Sequence, residues 1–461
     1  MIHIRDRAYG IETEYGWLLK ADDGSSRHMA LFGDDFLQEY MRRYPERNMG
    51  VMCWGDSKLW CPNGSKTYID RGDHPEHSTA EARTIRDAVI HYKAGELLMN
   101  RIFASEHDPY IQLFKNNVSY DPGESGDINS FACHENYLTA YLKVSSQDDP
   151  QYAAFMPFLA TRQIFDGAGY WNTEGNFFLS QRAFYKGHPL RRDGFLPFCL
   201  KGENPLYRMH VASGDSTILE FASFLKLGTT SLVLSLIEEK CFPEMRCRNV
   251  GKALYDVSRF GPKDICVEMV SGECMSAYDI QVRYWEAAEQ QVGSAIFDSD
   301  ETAAECAVII KRWEQALNAI WSNDTAWMLG RFDWATKRWV AEHIIGQGMS
   351  SEQARSKKRD FDIFYHLITD RSLQDQMNAR WPDRRIATDS EIEHAVEHPP
   401  VGTRAAARGD FVREMHTRKK PVYCILWDTI YAYANAFNVE MPNPLGSYHA
   451  QVERLIEEKR A

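Results

Sequence analysis

Short apolar and β-branched runs alternate with Gly, Asn, Asp and Pro turns over about the first 230 residues. Residues 9–19, 67–70, 110–114 and 208–213 carry the two-residue alternation of strands. Residues 34–44, 79–103 and 217–239 instead space their apolar positions by three and four, the helical period. From about residue 276 the helical pattern dominates, over 277–297, 303–323, 334–346 and 351–373. Pro399-Pro400 and the stretch 401–409 read as a loop-like junction. A strand-like run at 422–427 and a last helix near 448–459 follow. The pattern predicts an α+β fold, with a catalytic domain over 1–395 (its helical layer from about 276) and a small domain over 396–461.

Composition narrows the class. The chain has 461 residues, 44% of them apolar and 26% charged, with a formal net charge of -12. Nucleic acid and anionic membranes both need a basic footprint, so neither is an expected partner. No secretory leader is expected, and the chain is expected to be a cytoplasmic monomer. The ten cysteines form no C-x-x-C pair and no zinc spacing. Reduced thiols, several of them buried, are the expectation.

Candidate chemistry gathers near the N-terminus. In Gly10-Ile11-Glu12-Thr13-Glu14-Tyr15-Gly16 the strand period puts Glu12 and Glu14 on one face. Alone, this is equally the wet face of an edge strand. Thr67-Tyr68-Ile69-Asp70 repeats the device with Tyr68 and Asp70, and a turn then leads to Glu76. Ser78 and Glu81 have the spacing of a helix capping box. Carboxylates on one face repel unless cations lie between them. Mg²⁺ takes oxygen ligands and completes its shell with phosphate, so the face suits Mg²⁺-ATP. No Walker-type loop is present. Lys115 and Arg208, at the ends of strand-like runs, are candidate phosphate contacts as well as candidate surface cations. His74, before Pro75, reads as structural, capping the turn, with a phosphate contact as the alternative, and His134 and Glu135 read as site-lining.

Gly-Ile-Glu-Thr-Glu-Tyr-Gly, Tyr-Ile-Asp-x-Gly-x-His-Pro-Glu and Ser-Thr-Ala-Glu together resemble the Pup ligase and Pup deamidase/depupylase family. Further stretches agree in order: Leu-Phe-Lys-Asn-Asn at 113–117, Cys-His-Glu-Asn-Tyr at 133–137, Thr-Arg-Gln-Ile at 161–164, Leu-Ser-Gln-Arg at 179–182 and Thr-Arg-Ala-x-x-Arg-Gly at 403–409. The resemblance implies a glutamine-synthetase-like antiparallel cradle packed with helices, whose small C-terminal domain completes the nucleotide site. It implies Mg²⁺ ligation by Glu12, Tyr68 and Glu76, to which the face adds Glu14, and it implies Asp70 as catalytic base. Thr79 and Trp427 match nucleotide contacts, and Lys66 stands where the ligases carry an ATP-contacting arginine. Arg404 and Arg408 are expected to close over the nucleotide from the junction.

The family joins a Pup-like modifier, through the side-chain carboxylate of its terminal Glu, to a protein lysine, or hydrolyses the corresponding amide. Three residues separate Asp70 from His74 and the connection from Gly16 to Tyr68 is short; both favour the ligase. A deamidase/depupylase, a ligase of small amines and a non-catalytic binding protein are the alternatives. Arg182, Lys186, Arg191 and Arg192 form a basic cluster, read as a solvated loop or as a docking face for an acidic modifier.

Overall fold

In the computed structural model the run over 9–19 is two strands, because the chain changes sheets at Tyr15. The structure describes residues 2–20, 26–28, 36–43, 45–53, 58–70, 74–103, 111–122, 128–139, 149–187, 198–203, 206–345, 349–368, 373–419, 422, 424–431 and 438–458. They pack as two compact units.

The first unit comprises Arg7–Lys115, Leu367–Ser372 and Ala387–Ala461. Its sheet contains β1 (Tyr9–Glu14), β2 (Leu59–Trp60), β3 (Lys66–Asp70) and β4 (His74–Ser78). They run antiparallel in the order β1-β4-β3-β2, with Val51–Met52 beyond β2. One face is apolar and packs on α1 (Ile85–Phe103): Ile69 and Leu59 join Ile90, Ala94 and Leu98 in one buried cluster. Gly95 allows that approach, since a Cβ there would stand 2.5 Å from His77 Cδ2.

The helix begins at Ile85 rather than at residue 79. Thr79 N–H donates to Ile11 C=O (2.9 Å), and Tyr9 and Ala82 exchange both backbone bonds (2.9 Å each), so the segment after β4 stays extended against β1. The Thr84 hydroxyl then caps the helix, accepting from Asp87 N–H at 2.9 Å.

Residues 396–461, expected as a domain of their own, lie in this same unit. The stretch 401–409, expected as a loop, enters α2 (Arg404–Thr417), whose Phe411, Val412 and Met415 share a core with Trp60 and Val51. The 422–427 strand is shorter than expected, Cys424–Ile425, and forms a three-stranded sheet with Thr429–Tyr431 and Asn438–Glu440. Leu367–Ile368, expected inside a helix, instead pairs with Ile111–Phe114.

The second unit comprises Met1–Asp6, Asn116–His366 and Leu373–Ile386. Cys133–Thr139, Leu206–Val211 and Phe198–Glu203 form antiparallel strands in that order. Helix Glu220–Glu238 is long and apolar enough to cross a membrane, yet its most apolar window is wholly buried, so it is the core helix of this unit. Cys266 and Cys274, expected as thiols, are joined as a disulfide across the hairpin of Val267–Glu268 and Cys274–Met275. Seven described cysteines are free.

Candidate active site

Strand register assembles the site. Glu14 stands opposite Glu76 across β1 and β4, and Glu76 opposite Tyr68 across β4 and β3. The next row is Glu12, Ser78, Lys66 and Trp60, and the closing pair is Asp70 with His74. The period-two alternation therefore places every one of these side chains on the face away from α1. One oxygen each from Glu14, Asp70 and Glu76 falls within 4.8 Å of the others.

The electrostatics match the crowding. The Tyr68 hydroxyl donates to Glu76 Oε1 and lies 3.2 Å from Ser78 Oγ. Burial, then the charge of Glu12, raises the Glu76 carboxyl from 4.5 to about 8, although the Tyr68 hydrogen bond favours ionisation. Burial and the charges of Glu76 and Glu12 push the Tyr68 phenol far above its ordinary value. His74 Nδ1 donates to Glu14 Oε2 at 3.0 Å. Hard oxygen donors at this spacing suit a small divalent cation, whose charge would offset the burial and crowding that raise the Glu76 carboxyl.

Beside the carboxylates lies an aromatic box. The Lys66 ammonium sits 4.5 Å from the Tyr68 ring centroid, 4.9 Å from Trp427 and 5.8 Å from Trp60. Trp60 and Trp427 meet edge to face at 5.1 Å. Arg408 holds this corner together. It is fully buried, donates to Gly64 C=O (2.8 and 3.1 Å) and Trp427 C=O (2.7 Å), and stacks 4.8 Å from the Trp427 ring.

Several expectations need correction. Arg404 and Arg408 lie on α2, and both pair with Glu81. Burial opposes ionisation of Glu81, but the two guanidinium groups hold its carboxyl down at about 2. Glu81 thus anchors α2 instead of closing a capping box. The Thr79 hydroxyl accepts from Ile11 N–H at 3.0 Å, which ties it to the β1 backbone. Lys115 is wholly buried, pairs with Glu96 and lies 3.9 Å from the Tyr92 ring centroid. Glu135, expected to line a site, is buried in an ion pair with Arg162.

In the second unit, Arg208 donates to Asn136 Oδ1 at 2.8 Å, and His210 contacts the same oxygen at 2.9 Å. Arg182 is buried and donates to Ala212 C=O at 2.9 Å, which removes it from any docking face. Lys186 lies on the helix Gln181–Gly187, while Arg191 and Arg192 lie outside the described residues.

Trp60 is absent from the residues expected at the site, and His74 was expected to cap the turn or touch phosphate rather than to bond a carboxylate. His74 carries the same two-residue spacing from Glu76 that Tyr68 has from Asp70, which was a usable signal. Trp60 precedes a Pro-Asn-Gly-Ser turn, and only the pairing of β2 with β3 reveals its face.

The sequence model of one family, described as Pup-ligase protein, matches residues 7–431. A Pup–protein ligase of Xylanimonas cellulosilytica is 30% identical over 477 residues, covering 98% of this chain and 99% of the relative. One of Acidimicrobium ferrooxidans is 30% identical over 482 residues, covering 99% of each. Among solved structures, the ligase PafA in complex with the prokaryotic ubiquitin-like protein Pup matches with a TM-score of 0.83 and 28% identity, covering 99% of this chain and 92% of that one. PafA in complex with ADP matches with a TM-score of 0.77 and 27% identity, covering 95% of this chain and 96% of that one.

Proposed function

This chain belongs to the Pup ligase family, and on that premise we propose that it is an ATP-dependent ligase joining a Pup-like modifier to protein lysines. The reacting group is the side-chain carboxylate of a C-terminal Glu on the modifier. The observation that carries the reading is the row Glu14–Glu76–Tyr68 with Asp70 beside it, four oxygen-bearing side chains on one sheet face.

A carboxylate does not acylate an amine at neutral pH, because its leaving group would be oxide. Transfer of the ATP γ-phosphoryl gives an acyl phosphate and ADP, and the leaving group becomes phosphate. Bound Mg²⁺ supplies neutralisation of the phosphate charge that the acidic face would otherwise repel. Glu12, Glu14, Glu76 and Tyr68 are the residues that would hold it.

The acceptor lysine arrives as an ammonium with a reference pKa of about 10.4. Asp70, at the end of β3, takes its proton. The freed amine attacks the acyl carbon, the carbon–oxygen bond to phosphate breaks, and an isopeptide forms. Lys66 supplies a positive charge to the nucleotide, and Trp427 supplies an aromatic face from the C-terminal stretch. Arg404, Arg408 and Thr79 act one step back, by holding the backbone on which these groups stand. Lys115 and Arg182 serve the fold.

The test is incubation with Mg²⁺-ATP, a small modifier ending in Glu and a lysine-bearing acceptor, followed by intact-mass and nucleotide analysis. The expected product is one water lighter than the sum of its parts, with ADP formed in proportion. Neither adduct nor ADP, with a verified modifier, overturns the reading. Hydrolysis of a modifier amide without stoichiometric ADP would favour the deamidase alternative.

A further inference from the structure

His74 belongs to the carboxylate face, yet the reaction assigns it no task. Its Nδ1 donates to Glu14 Oε2 at 3.0 Å, and the two side chains are 13% and 12% exposed, so the bond is shielded from water. His74 is also the strand partner of Asp70, at the end where β3 and β4 join. One residue thus touches two members of the oxygen trio, Glu14 through its side chain and Asp70 through its backbone. The next residue, Pro75, accepts from Tyr15 N–H at 2.8 Å, which fixes the backbone around His74 to the end of β1.

A carboxylate can meet a cation through one oxygen or both, and it rotates freely about its last torsion. A donor bound to one oxygen removes that freedom. We propose that His74 is a positioning residue, which occupies Oε2 of Glu14 and so presents only the other oxygen to a divalent cation shared with Glu76. It belongs to the outer ring of hydrogen bonds that orient ligands and tune metal affinity. The inference rests on the reading of this face as a cation site, and its test needs neither nucleotide nor modifier.

The experiment titrates Mn²⁺ into the full-length protein without nucleotide, by calorimetry, for wild type, His74→Ala and His74→Asn. The alanine variant should bind Mn²⁺ about 10- to 100-fold more weakly. The asparagine variant, whose amide N–H can still reach Glu14, should stay within about threefold of wild type. In ligation, the alanine variant should need more Mg²⁺ for half-maximal rate while recovering most of its kcat at saturation.

Equal Mn²⁺ affinity in wild type and His74→Ala overturns the proposal. Equal weakening in both variants, with a lowered Tm, also overturns it by assigning His74 to the fold alone. Absence of Mn²⁺ binding in wild type removes the cation site and this inference with it. Normal Mn²⁺ binding without ligation strikes only the proposed function.

Discussion

Tyr68 and Glu76 face each other across β3 and β4, and the phenol donates to a carboxyl that its surroundings hold near 8. The folded chain keeps a proton on Glu76 that the unfolded chain releases between pH 4.5 and 8. Stability contributed by this group is therefore present below about 4.5 and lost as pH rises through 8. With a chelator present, Glu76→Gln should be more stable than wild type at pH 8, by on the order of 1–3 kcal/mol, and the gain should vanish near pH 5. Ligation should fall at least about a hundredfold. Urea denaturation at the two pH values checks the first claim. No gain at pH 8 would mean that Glu76 is not crowded.

Asp70 closes β3 within reach of the same oxygens. Asp70→Asn keeps the shape and removes the proton acceptor. Ligation should drop by about 10²- to 10⁴-fold, with nucleotide affinity within about threefold of wild type. A strong acceptor nucleophile that needs no deprotonation, such as hydroxylamine, should recover part of the rate. Loss of nucleotide binding in equal measure would assign Asp70 to the phosphate site instead.

Period-two alternation made Glu12, Glu14, Tyr68 and Asp70 legible as one-faced pairs, because that information lies within each strand. What joined the pairs was register, Glu14 to Glu76 to Tyr68, and the first of these steps depends on contacts about 60 residues apart in sequence. A longer separation, 323 residues to Arg404 and 327 to Arg408, hid the part played by Glu81. Ser78-x-x-Glu81 has the spacing of a cap, but Thr79 and Ala82 bond to Ile11 and Tyr9, and the helix start moves to Ile85. Arg404 and Arg408 were misplaced for another reason. Pro399-Pro400 suggested a loop-like junction, and outweighed the strong helix-forming run Arg-Ala-Ala-Ala-Arg that follows.

Arg408 and Glu81 form a buried ion pair beneath Trp60 and Trp427, so removing Arg408 leaves the buried Glu81 carboxylate with Arg404 alone. Arg408→Met should cost about 3–5 kcal/mol and raise the nucleotide Kd through the freed Trp427 backbone. The double variant Arg408→Met with Glu81→Met should regain much of the stability but not the nucleotide affinity. Chemical denaturation and nucleotide titration separate the two effects.

Lys66 offers a point charge inside its aromatic box, where an arginine would offer a planar fork and stack on the rings. Lys66→Arg should tighten ATP binding about two- to tenfold. Lys66→Met should weaken it by about tenfold or more, with little change in Tm. Isothermal titration with a non-hydrolysable ATP analogue checks both. Equal affinity in the two variants would remove Lys66 from the nucleotide site.

His91 on α1 is buried, and its Nδ1 has no hydrogen-bond partner. Burial, then His77 and His394, lowers its pKa from 6.5 to about 3. At pH 7 both folded and unfolded chains carry it neutral. As pH falls through 6.5 the unfolded chain takes up a proton that the folded chain refuses until about 3. Stability is therefore lost on acidification across that window, at about 1.4 kcal/mol per pH unit for this one group. Glu76 contributes the opposite slope, so the comparison is between variants. His91→Leu should flatten the fall in unfolding free energy between pH 6 and 4 by roughly that amount per unit, at some cost in packing at every pH. Urea midpoints at pH 6, 5 and 4 give the slope, and a slope unchanged from wild type would mean that His91 takes up its proton without unfolding.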